Sequence, residues 1–142
     1  MKFTNTVTID RPLAEVFAFL AQLENLPRWN YAISAARKTT PGPVGIGSKY
    51  ALVRTLPMRC AETLEITEYE PVRTLSINGG LGPLRGRATY VLDPVGSATR
   101  VTNSMDLAGP GLLSVVAPLA TAQIRAAVAA NLDVLKQIVE EQ

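Results

Sequence analysis

Apolar and polar positions alternate from Phe3 to Asp10. Phe3, Val7 and Ile9 fall on one face and Thr4, Thr6 and Thr8 on the other, which predicts a half-buried strand. Asp10-Arg11-Pro12 then suits a helix start, with Asp10 as cap and Pro12 in the first turn. Leu13, Val16, Phe17 and Leu20 recur at helical spacing, and a second short helix is expected over 22–25 before Pro27 disturbs the chain. From Ser34 the period drops to two. Strands are expected at 34–40, 48–56, 58–70, 74–78, 84–93 and 99–107, divided by Gly- and Pro-rich turns at 41–47, 56–57, 70–71, 78–83 and 93–97. Short links of this kind favour antiparallel neighbours.

The tail returns to helical spacing, with Ile124, Val128, Leu132, Leu135 and Val139 on one stripe and alanines along its sides. Pro118 either kinks this helix or separates a short lead-in from it. The whole reads as one α+β domain over residues 1–142, a curved antiparallel sheet laid against a long amphipathic helix.

Composition narrows the function. Apolar residues make up 47% of the 142 and charged residues 18%, so the chain has apolar surface to place in a core, a cavity or a dimer interface. A net charge of +2 with scattered arginines argues against a nucleic-acid partner. Cys60 is the only cysteine, which excludes an internal disulfide and a thiolate metal cluster. No apolar signal core follows Met1, and no run approaches the roughly eighteen apolar residues needed to cross a bilayer. A cytoplasmic location without stable membrane insertion is therefore the expectation.

Histidine is absent altogether. That removes the usual general base and the commonest metal ligand, so acid–base work would fall to a carboxylate, Tyr, Lys, Cys60 or water. The Gly-rich stretch 42–49 has Ser48 before Lys49 and runs into a strand pattern, so it is not a phosphate loop. Residues 79–86 read as a hairpin loop. Glu62, Glu65, Glu68 and Glu70 alternate faces on a strand and read as a solvated charged strand, and no metal or cofactor is expected.

The stretches VTIDRPLAEVFAFL (7–20), LPRWN (26–30), TTPGPVGIGSKY (39–50), ITEYEPVRTLSI (66–77), GPLRGRATYVLDP (82–94) and TRVTNSMDL (99–107), with the long final helix, occur in a telling order. In that order the chain resembles the START-like, or SRPBCC, superfamily, in particular its small bacterial polyketide cyclase/dehydrase and lipid-transport-like members. The resemblance implies a helix-grip (START/Bet v 1-like) fold, with about seven strands wrapped round the C-terminal helix. It also implies two short helices after strand 1 and a deep cavity between sheet and helix.

Strand alternation then nominates the lining. Met58, Cys60 and Glu62 go inward with Leu64 and Ile66; Tyr90 with Gly86, Ala88 and Leu92; Asn103 and Met105 with Val101 and Leu107. For 48–56 two registers are open, and the one facing Tyr50, Leu52 and Arg54 inward is preferred because Tyr50 and Leu52 are the larger apolar bodies. Trp29 is either packing at the sheet end or part of the cavity mouth. Glu62 is the candidate catalytic residue, since an inward carboxylate has a raised pKa unless a cation such as Arg54 pairs with it.

Three functions remain open on these grounds. The first is binding or carrying a small hydrophobic molecule such as a lipid, polyketide or isoprenoid-like compound. The second is a cyclase or dehydratase using Glu62. The third is an accessory role through an outer apolar surface at Leu112, Leu113, Val115, Val116 and Leu119, in contact with a partner or a second copy as a homodimer.

Overall fold

The alternating N-terminal segment forms β1 (Lys2–Ile9), followed by α1 (Leu13–Ala21), a 3-10 turn at Leu23–Asn25 and the one-turn helix α2 (Leu26–Trp29). The computed structural model describes residues 1–56, 58–81, 84–109 and 113–142, and the side chains of these except at 81, 84 and 113–120. Strands β2 (Ile33–Lys38), β3 (Lys49–Arg54), β4 (Cys60–Glu70), β5 (Thr74–Leu81), β6 (Leu84–Val95) and β7 (Ala98–Ala108) follow, then helix α3 (Leu113–Glu140). All seven strands form one antiparallel sheet in the order β1-β7-β6-β5-β4-β3-β2. β1 thus closes back on the last strand, and only this pairing is far from its partner in sequence.

The concave face carries Val7, Ile9, Tyr50, Leu52, Leu64, Ile66, Leu75, Ile77, Tyr90, Leu92 and Val101, all buried. Leu132, Leu135 and Val139 of α3 are buried with them, as are Val16, Phe17 and Leu20 of α1. Each such side chain contributes about 1.5–3 kcal/mol by leaving water, which makes this shared core the main support of the fold. The far end of α3 is tied to the β1–α1 joint: Glu140 accepts from the Asp10 backbone N–H at 2.7 Å and from Lys136 at 2.6 Å, while Arg11 donates to the Glu140 carbonyl. The Glu140 carboxyl is held below its ordinary range, first by the Lys136 hydrogen bond and then by that of Asp10.

Several local expectations change. Asp10 does not cap α1; Pro12 is the cap residue and no side chain bonds there. Pro27 lies in the first turn of α2, where its missing N–H costs nothing, so it opens a helix instead of disturbing one. α3 is a single helical element that includes Pro118, so Pro118 does not divide it. A bulge between Ile66 and Glu68 shifts the parity of β4, bringing Tyr69 onto the concave face opposite Leu75, edge-on to Phe17 at 5.5 Å. Residues 79–81 are strand, extending β5 into what reads in sequence as a loop, while β6 begins at Leu84 as its alternation expects and runs on to Val95. The apolar run of Leu112, Leu113, Val115, Val116 and Leu119 lies outside the residues whose side chains are described.

Candidate functional site

A pocket of about 520 Å³ lies between the concave sheet, α2 and the middle of α3. Three sets of residues create it. On the sheet, Gly79 and Gly86 are direct cross-strand partners on the inward face, so two adjacent strands present no side chain at one level. A Cβ at Gly86 would run into the Leu107 side chain, and one at Gly79 into that of Leu64; both leucines lean into the space and line the pocket. On α3 the apolar stripe divides: Leu132, Leu135 and Val139 are core, whereas Ile124 and Val128 are half-buried and face the pocket. At the open end, Leu26, Trp29, Asn30, Tyr31 and Ile33 complete the wall, and Asn131 Oδ1 accepts from the Tyr31 N–H at 3.4 Å to hold α3 against this turn.

Trp29 ends α2, is buried and sits edge-on to Tyr90 with ring centroids 6.4 Å apart. Packing and pocket wall are therefore one role for this indole, because the surface that seals the end of the core is the surface the pocket exposes. Burial pushes the Tyr90 hydroxyl far above its ordinary range, so the phenol stays neutral.

The inward register of β3 is the one with Tyr50, Leu52 and Arg54 buried. Arg54 lines the pocket, and its Nε donates to Glu62 Oε1 at 2.6 Å, both side chains being under a tenth exposed. Its Nη2 donates to the Gly80 carbonyl at 3.3 Å. A Cβ on Gly80 would meet Glu62 Oε2 at 2.9 Å, so the glycine leaves room for the carboxylate. The cation that the sequence reading named as the alternative to a lone buried carboxylate is in place.

The nominated residues thus separate. Trp29, Arg54, Tyr90 and Met105 line the pocket, and Glu62 stands behind Arg54. Tyr50 and Asn103 are fully buried on the concave face but outside the wall. Met58 is 69% exposed because β4 starts only at Cys60, so strand alternation does not reach it. Cys60 is half-buried beside Arg54, off the wall. Among the described residues no three His, Cys, Asp or Glu side chains gather as metal ligands would. Sequence reasoning placed Gly86 inward but missed the α3 contributors, Asn131 included, and Gly79 and Gly80. Two adjacent glycines inside a strand pattern, and one polar residue in an apolar helical stripe, were the available signals.

An antiparallel sheet gripping a C-terminal helix, with a pocket between them, is the helix-grip architecture. A profile of the family described as polyketide cyclase / dehydrase and lipid transport matches residues 1–140, and the chain belongs to that family. No functionally curated protein matches it. Among solved structures it is similar to a conserved Geobacillus kaustophilus protein (TM-score 0.79, 12% identity, 99% of this chain and 96% of that one). It is also similar to a Thermus thermophilus protein (0.77, 18%, 98% and 97%). The Zhui aromatase/cyclase of a Streptomyces species shares the fold as well (0.76, 12%, 99% and 93%). Among the described residues no helix is long and apolar enough to cross a membrane.

Proposed function

We propose that this protein binds and carries a small hydrophobic molecule in the pocket between its sheet and α3. The observation that carries the reading is the pocket itself: about 520 Å³, within the roughly 300–1,000 Å³ of small-molecule sites, and walled mainly by aliphatic and aromatic side chains. Releasing water from such a wall favours an apolar occupant. Arg54 supplies a polar contact. A guanidinium has five N–H groups, and Glu62 and Gly80 accept from two of them, which leaves donors for a ligand oxygen.

The family includes cyclases and dehydrases, and the Arg54–Glu62 pair at the wall supports an enzymatic reading as the second choice. The engagement of Glu62 by Arg54 at 2.6 Å favours binding over proton transfer, because a carboxylate already holding a cation is a poorer partner for substrate. Native mass spectrometry of the purified protein, followed by extraction and identification of bound compounds, tests the first reading. An apolar adduct that leaves on denaturation supports it. If instead the protein consumes such a compound and Glu62→Gln stops consumption while binding persists, the enzymatic reading replaces it.

A further inference from the structure

Asn103 lies in the middle of β7 on the concave face, fully buried, and neither its Nδ2 nor its Oδ1 has a hydrogen-bond partner among the described residues. Buried amides are almost always satisfied, so a native structure with this one unmet calls for an explanation. Among the described residues, the groups on the neighbouring elements are turned to other contacts or lack polar side chains. On β1 the directly opposed Asn5 gives its amide to the Arg125 carbonyl of α3, at 3.2 Å. Beyond Arg125 the helix continues as Ala126, Ala127, Val128, Ala129 and Ala130, none with a hydrogen-bonding side chain. On β6 the opposed residue is Tyr90, which lines the pocket.

The pocket is one side chain away. Tyr90 across the strand pair, Met105 two residues along the same face, and Val128 on α3 all belong to its wall. We propose that Asn103 is the inner polar stop of this pocket and selects an apolar molecule bearing a hydroxyl group at its buried end. This rests on the ligand-binding reading above. The chemistry follows from the amide: it offers one acceptor and two N–H donors at one point, and a hydroxyl both donates and accepts. A ketone or ether oxygen meets only the donor side. A carboxylate entering there would be a buried charge without a cation, since Arg54 stands on β3, four strands away across the sheet. The ligand reaches Asn103 by displacing the Tyr90 ring, which rests edge-on against Trp29.

The test uses N-phenyl-1-naphthylamine as a fluorescent occupant and measures its displacement by 2-naphthol and by 2-methylnaphthalene, which differ in a hydroxyl against a methyl of similar size. The wild-type protein is expected to prefer the naphthol by about tenfold or more, and Asn103→Leu to lose that preference while still binding the fluorophore. Asn103→Ala is read in the same way if leucine prevents folding. No preference in the wild type, or a preference that survives both substitutions, overturns the assignment and leaves the pocket reading intact. Failure of the fluorophore to bind wild-type protein at all overturns the pocket reading and this assignment with it.

Discussion

At the scale of residues, Arg54 and Glu62 form the buried charged corner of the pocket. Two opposite charges held at 2.6 Å and under a tenth exposed are stable as a pair and costly apart. Arg54→Met takes the cation away from a buried carboxylate and is expected to lower stability by about 3–5 kcal/mol in urea unfolding. The double variant Arg54→Met with Glu62→Leu should recover most of that loss, since no charge then remains to be desolvated. A double variant no more stable than Arg54→Met would mean that the pair is not what holds this corner.

Tyr50 gives a second residue-level expectation. Its ring is fully buried and its hydroxyl has no hydrogen-bond partner among the described residues. Burial, and then the negative charge of Glu24 and the phenol of Tyr69, push it from 10.0 to about 12. The folded protein therefore favours the neutral phenol. That contribution is complete below pH 10.0 and is lost as pH rises towards about 12, because the unfolded chain gives up its proton first. Tyr50→Phe should leave the urea midpoint at neutral pH unchanged or raised, and should lose less of it than wild type near pH 11. An alkaline loss as steep as in the wild type would contradict this.

Among the elements, β5 and β6 do most to make the pocket, through the facing pair Gly79 and Gly86. Gly86→Ala puts a methyl group into the Leu107 side chain, which must swing into the pocket. The expected cost is about 1–3 kcal/mol, as for other overpacked sites, together with weaker uptake of any apolar ligand. Thermal melts with and without ligand read both effects, and an unchanged ligand-induced shift would show that this level of the sheet does not face the bound molecule. These glycines also mark the limit of sequence reading at this scale. Gly79, read as a turn former, ends β5 at Asn78, whereas Gly86 falls on the inward face of the expected 84–93 strand; only the cross-strand register sets the two side by side. The bulge after Ile66 escaped for the same reason, since parity along β4 is continuous in sequence and broken only by pairing.

Over the whole molecule, the order of elements and the inward faces of β1, β3, β6 and β7 were legible because period-two alternation survives wherever one face is buried. Trp29, Arg54, Tyr90 and Met105 emerged from that alternation and from the helix–strand joint. The pocket as a volume did not. It depends on how far α3 stands off the sheet, on the split of its stripe between core and pocket, and on the Asn131 contact that fixes the turn at Tyr31. Those are distances between elements remote in sequence, and no local pattern encodes them.

The central claim is that this space receives an apolar molecule. Ala127 of α3 lines it and is half-buried, so Ala127→Phe sets a ring inside while leaving the rest of the helix unchanged. The decisive measurement is a fluorescence titration of N-phenyl-1-naphthylamine into the wild type and into this variant, each checked for an unchanged circular dichroism spectrum. Saturable binding to the wild type is expected, with a loss of about tenfold or more in affinity in the variant. Equal affinity in both proteins, or no saturable binding to the wild type, would contradict it.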